Sequence, residues 1–183
     1  MSRVRVYIAS SLDGFIAGPD DDLSWLGGDP PNEAQLAARS PEALSYERFI
    51  ADVGVLLMGR RTYDVVEKFD QWFYGDLPVL VATHRPLTPR VPTVRAISGD
   101  LDSLLAQAHE VAGTKDVYID GGELIRQATL ARRVDEFVIT WIPVLLGRGL
   151  PLFAGLAERR DLEILSSTPF GGGALQIKAR PKR

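Results

Sequence analysis

Two stretches of this chain combine residue types that could hold an anionic ligand: Val55-Leu-Leu-Met-Gly-Arg-Arg-Thr-Tyr63 and Tyr118-Ile-Asp-Gly-Gly-Glu-Leu124. In each, an apolar run ends on glycine and a helical pattern follows. Glycine lets backbone N–H groups approach a ligand that a side chain would block, and a helix N-terminus presents unpaired donors and partial positive charge. Two such turns suit the bridging diphosphate of a dinucleotide. Arg60, Arg61 and Thr62 add cationic and hydroxyl donors at the first, and Gly121, Gly122, Glu123 and Leu124 form the second. Either site read alone is also an ordinary strand-to-helix turn, with surface arginines in one case and paired glycines in the other.

The elements that must position these turns follow from periodicity. Val4–Ala9, Val53–Met58, Val79–Ala82 and Val117–Ile119 are short apolar runs, as in parallel strands buried on both faces. Tyr46, Phe49, Ile50 and Val53 keep helical spacing after Ser40-Pro41-Glu42, which predicts a helix start at Ser40. Leu101, Leu104, Leu105 and Ala108 repeat that spacing between Asp100 and Gly113. A further short helix is expected from Gly122 to about Arg132. Residues 134–142, 162–167 and 174–179 then read as strands joined without helices, an antiparallel C-terminal edge. The expected fold is α/β, with a mixed, mostly parallel sheet of about eight strands and about four helices, in a single domain over residues 1–183.

Composition narrows the function classes. The 183 residues are 45% hydrophobic and carry 21 basic against 24 acidic side chains, a net charge of −3, with no basic stripe for nucleic acid or an anionic membrane. No cysteine is present, which removes thiolate chemistry and fits a reducing, cytoplasmic setting. The N-terminus enters a strand pattern directly, unlike a signal peptide, and no apolar run approaches the roughly 20 residues of a membrane span. His84 and His109 are the only histidines, too few and too far apart for a zinc site. The run Asp20-Asp21-Asp22 reads as a solvated loop, so no metal is expected. The irregular stretch 18–41 is long enough to cover a site, and the apolar connection 143–153 must fold back on the core or meet another subunit.

Taken in order, Ala9-Ser-Ser-Leu-Asp-Gly-Phe-Ile-Ala17, Ser24-Trp25, Met58-Gly-Arg-Arg-Thr-Tyr63, Ala82-Thr-His-Arg85, Asp120-Gly-Gly-Glu123 and Pro143-Val-Leu-Leu-Gly147 make the chain resemble the dihydrofolate reductase superfamily. Within it the resemblance is to the branch holding the reductase domain of riboflavin-biosynthesis deaminase-reductases and its stand-alone relatives. That resemblance implies an NADPH-dependent reductase of a small planar heterocycle, pteridine- or pyrimidine-like. It places the nicotinamide near Ala9, Gly14, Phe15 and Ile16, the diphosphate at Gly59–Thr62 and Gly121–Leu124, and the adenosine end near Thr83, His84 and Arg85. Positive charge and hydroxyl donors there would suit a 2′-phosphate.

Folate enzymes carry an acid on the first helix where this chain has Ser45. Glu42 is the substitute one turn before Tyr46, and a riboflavin-type reductase is expected rather than a folate reductase. Tyr46 and Phe49, with Ser45, are the expected substrate wall. Proton delivery falls to Asp13, Trp25 or Glu42, although Asp13-Gly14 is also a tight-turn dipeptide and Trp25 also a loop anchor. The alternatives are a non-catalytic NADPH-binding sensor or scaffold of the same fold, or an interaction protein built around 143–153. A homodimer is expected, because that connection and the C-terminal edge would otherwise expose apolar surface and unpaired strand groups.

Overall fold

The structure is a computed structural model that describes residues 2–26 and 40–182. Among the described residues ten strands lie in chain order: β1 (Val4–Ser11), β2 (Phe15–Ala17), β3 (Val53–Gly59), β4 (Val79–Ala82), β5 (Val94–Ile97), β6 (Asp116–Asp120), β7 (Glu136–Ile142), β8 (Leu150–Pro151), β9 (Leu162–Gly171) and β10 (Ala174–Pro181). Among the described residues four α-helices join them: α1 (Tyr46–Ala51), α2 (Arg60–Val66), α3 (Leu101–Ala112) and α4 (Gly122–Leu130). Eight strands form one sheet in the order β5-β4-β3-β6-β1-β7-β10-β9, and β2 pairs with β8 apart from it. The first six are parallel to one another. β10 is antiparallel to both β7 and β9, so the expected mixed sheet with an antiparallel C-terminal edge is what forms.

The period of two explains why the inner strands are apolar throughout. Along β3, Val55 and Leu57 join the core beneath α3 and α4, whereas Leu56 and Met58 join the core beneath α1 and α2. β6 repeats this with Val117 and Ile119 on one face and Tyr118 on the other. A strand covered by helices on both sides cannot alternate with polar residues.

Local chemistry sets the helix ends. Asp100 caps α3, accepting from the Ser103 amide at 2.9 Å. The first helix does not begin at Ser40. Residues 41–43 are turn and bend, and Ser45 is the N-cap, accepting from the Arg48 amide at 3.3 Å. Ser40 instead bonds Pro169 through its amide at 3.2 Å. Strands β5, β2 and β8 lie outside the sequence expectation. β5 escapes because Arg95 and Ala96 are exposed on an edge strand, so it carries little apolar signal.

At the amino end of the central strands lies a buried ion cluster. Arg5, its side chain 3% exposed, meets Glu136 at 2.6 Å and Asp116 at 3.3 Å. Arg3 reaches Asp116 at 2.6 Å and Lys178 reaches Glu136 at 3.0 Å, while the Arg5 guanidinium also stacks 4.6 Å from the Phe49 ring centroid. Removing one partner leaves uncompensated buried charge. Arg5→Ala is therefore expected to cost about 3 to 5 kcal/mol of folding stability, measured by urea denaturation.

Candidate active site

The carboxyl ends of β1, β3, β4 and β6 open into a cleft of about 1160 Å³, above the roughly 300–1,000 Å³ of an ordinary small-ligand pocket. At its centre the two glycine turns stand side by side. Gly121 has φ +92°, a conformation that favours glycine, and a Cβ there would collide with Thr62 Oγ1. A Cβ on Gly122 would stand 3.0 Å from Ile16 Cδ1. Gly59 differs: its φ is −76° and a Cβ would meet nothing within 4 Å. Packing and backbone conformation leave glycine unexplained at 59, and what it provides is bare backbone facing open cleft.

The helix starts divide by what they face. α1 and α3 are capped by the side chains of Ser45 and Asp100, whereas α2 and α4 begin at Gly59 and Gly121 with no side-chain cap. The uncapped pair borders the cleft, where unpaired amide donors are open to a ligand.

Of the expected residues, Ala9, Ile16, Tyr46, Gly59, Arg60, Arg61, Thr62, Thr83, His84 and Gly121 through Leu124 line this one cleft. Arg85 stands behind its rim: Asp64 bridges Arg60 at 2.6 Å and Arg85 at 3.1 Å, and the Arg85 amide donates to Thr83 Oγ1 at 3.0 Å. Arg61 reaches across the mouth to Asp21 at 2.8 Å, so residues 18–26 form part of the covering. The rest of the stretch expected to cover the site, 27–39, lies outside the described residues. Connection 143–153 folds back as expected over much of its length. Leu150 and Pro151 pair with β2 and line the cleft, Leu152 is buried, and Phe153 packs edge-on to Phe137 at 5.8 Å.

Other candidates are placed elsewhere. Asp13 is exposed and outside the lining, and its carboxylate accepts from Ser11 Oγ at 2.6 Å, the Gly147 amide at 2.7 Å and the Leu146 amide at 3.1 Å. The Ser11 hydroxyl and the Gly147 amide hold its pKa below the usual value. It clamps one loop to another. Gly14 makes the turn beside it with φ +89°, and Phe15 pairs with Pro151. Trp25 lies outside the lining and bonds the Asp22 carbonyl of its own loop through its indole N–H at 3.2 Å. Glu42 is exposed and outside the lining; because α1 starts at Tyr46, Glu42 does not share its helix face. Phe49 is fully buried, so it belongs to the core rather than the cleft wall.

Beside Asp21 and Glu123, which are paired with Arg61 and Arg126, the cleft is lined by Asp120, quoted in the sequence motif but given no role there. It ends β6, borders the cleft, and accepts from the Gly121 amide at 2.7 Å. Protein atoms enclose it closely enough that burial raises its pKa from 3.8 to about 6, against the lowering effect of that amide. Its charge acts in turn on Tyr46, Tyr74 and Tyr118, whose phenols are all pushed up, chiefly by burial. A carboxyl poised near 6 within a cleft can hold a proton and release it close to neutral pH.

Among the described residues no cluster of three or more histidines, aspartates and glutamates could hold a metal, and no helix is long and apolar enough to cross a membrane. Residues 2–175 match the profile of the RibD C-terminal domain, and the chain belongs to that family. YwjB, an uncharacterized protein of Bacillus subtilis (strain 168), is 31% identical over 173 residues, 92% of each chain. Among solved structures, a "Putative riboflavin biosynthesis protein" from Shewanella sp. PV-4 shares 31% identity and a TM-score of 0.80 over 99% of both chains. A diaminohydroxyphosphoribosylaminopyrimidine deaminase/5-amino-6-(5-phosphoribosylamino)uracil reductase from Thermotoga maritima shares the fold at a TM-score of 0.67 and 16% identity. The match covers 99% of this chain and 57% of that one.

An acid with a higher pKa folded than unfolded holds its proton more tightly in the folded protein. Stability from Asp120 is therefore greatest below pH 3.8 and falls as pH rises towards about 6, a loss of roughly 3 kcal/mol. Asp120→Asn is expected to flatten that part of the stability profile, read by denaturation at a series of pH values.

Proposed function

We propose that this member of the RibD C-terminal domain family is a cytoplasmic, NADPH-dependent reductase of a small planar heterocycle, pteridine- or pyrimidine-like, of the riboflavin type rather than a folate reductase. The observation that carries the reading is the contact of Gly121 with Thr62, which puts two uncapped helix starts on one cleft. Gly59, Thr62 and Gly122–Leu124 would hold the diphosphate by backbone and hydroxyl donors, with Gly121 making the close turn against Thr62. Arg60, braced with Arg85 by Asp64, and Thr83 and His84 would meet the adenosine 2′-phosphate. Ala9 and Ile16 would border the nicotinamide. The bound cofactor supplies the hydride.

The chain's own part of the chemistry falls to Asp120. Its carboxyl oxygen would carry the proton that must reach a substrate nitrogen or oxygen as the neighbouring carbon is reduced, and solvent would restore it afterwards. Ser45, spent as a helix cap, supplies no substitute for the folate enzymes' acid. A non-catalytic sensor of the same fold would bind cofactor equally well and show no dependence of turnover on Asp120.

Titrating the protein with NADPH and following nucleotide fluorescence tests the first step. Binding is expected, with at least a tenfold loss of affinity when Arg60→Ala and Arg61→Ala are combined; no binding at millimolar NADPH overturns the reading.

We also propose that the protein is a homodimer. Strand β9 is a sheet edge that exposes Ile164 at 55% and Leu165 at 41%, an arrangement monomers usually avoid. Light scattering at micromolar concentration is expected to give twice the chain mass of 20.1 kDa.

A further inference from the structure

The two arginines assigned to the adenosine end come from different elements and meet through one carboxylate. Arg60 opens α2, and Asp64 stands one turn on along the same helix face. Its Oδ1 accepts from Arg60 Nε at 2.6 Å, and its Oδ2 accepts from Arg85 Nη2 at 3.1 Å. Both oxygens are spent on guanidinium groups. A second anchor fixes the plane of Arg60, whose Nη1 donates to the Pro86 carbonyl at 2.8 Å. The turn carrying Arg85 and Pro86 is itself tied down. The Thr83 amide donates to the Ile97 carbonyl of β5 at 2.9 Å, and the Thr83 hydroxyl accepts from the Arg85 amide at 3.0 Å.

Nη2 of Arg60 and Nη1 of Arg85 take part in none of these bonds. Arg60, Thr83 and His84 line the cleft, whereas Asp64 does not, so Asp64 stands behind the groups that a ligand would touch. Two guanidinium groups brought this close repel one another, and each long side chain samples many rotamers unless it is held. The carboxylate between them removes both costs before a ligand arrives.

Resting on the reductase reading, we infer that Asp64 is a positioning residue that sets the preference of this protein for a 2′-phosphorylated dinucleotide over its unphosphorylated counterpart. It acts through Arg60 and Arg85, which make the contact. Two effects of the carboxylate oppose each other: its charge repels an incoming phosphate, and its bonds preorganise the two forks that would grip it. The charge is partly exposed, and at physiological ionic strength such a charge is screened beyond about 8 Å. Orientation is not screened, so preorganisation prevails.

Calorimetric titration of the full chain with NADP⁺ and with NAD⁺ tests this, because the two nucleotides differ only by the 2′-phosphate. The wild-type chain is expected to bind NADP⁺ at least tenfold more tightly than NAD⁺. Asp64→Asn keeps the shape and one acceptor oxygen but turns an N–H donor group towards one of the guanidinium groups. The ratio of NADP⁺ to NAD⁺ affinity is expected to fall about tenfold in that variant, with NAD⁺ affinity changed less than twofold. If the wild-type chain binds neither nucleotide, the reductase reading fails and this inference with it. Where it does bind, three results overturn the inference alone: a ratio in Asp64→Asn equal to or above that of the wild type, an equal weakening of both nucleotides, as a purely structural role would give, or no preference for NADP⁺ in the wild-type chain.

Discussion

The arrangement of the molecule depends on Arg5. It lies on the central strand β1, enclosed among protein atoms, and its guanidinium joins Asp116 at the start of β6 to Glu136 at the start of β7. Parallel strands have no tight turn to set their register, and charge supplies it here. Burying three ions is costly unless each finds its partner, so a slipped strand would forfeit both ion pairs at once. Once Asp116 is fixed, Asp120 follows at the other end of the same strand, facing the cleft. The clamp and the reactive end are two ends of one five-residue element.

Opposite that clamp, closeness of backbone does the work that charge does below. The loop at Gly121 can lie against Thr62 only because no Cβ intervenes. This brings the starts of α2 and α4 to one opening with no side-chain cap on either. The other two helices spend a serine or an aspartate on the same task. The difference is a distribution of unsatisfied donors, and it concentrates them where an anion would sit.

Much of this was legible in the chain itself. The glycine turns, the buried runs feeding them, the Asp100 and Gly113 ends of α3 and the antiparallel C-terminal edge all depend on neighbours in sequence or on periods of two and 3.6 residues. What escaped depends on partners far away. The elevated pKa of Asp120 comes from enclosure by segments near residues 46, 74 and 118, which no local pattern brings together. Asp13 drew attention as a possible acid because of its motif, yet its amide partners Leu146 and Gly147 lie over 130 residues onward and make it a clamp. Ser40 and Ser45 are both plausible caps by type. Choosing between them required knowing that the Ser40 hydroxyl accepts from the Glu42 amide within a turn, whereas the Ser45 hydroxyl accepts from the Arg48 amide three residues on.

The pairing of β2 with β8 bears on how the chain acquires its binding surface. Phe15 meets Pro151, and the Leu152 amide donates to the Gly14 carbonyl at 2.9 Å, so one wall of the opening is closed by residues from nearly opposite ends of the polypeptide. Contacts of such long sequence separation pay a large loop-closure entropy and form slowly. During synthesis that wall cannot exist until residues beyond 152 have emerged, whereas β3, α2, β6 and α4 are already available to pack. Competence to bind should therefore be among the last properties the nascent protein gains.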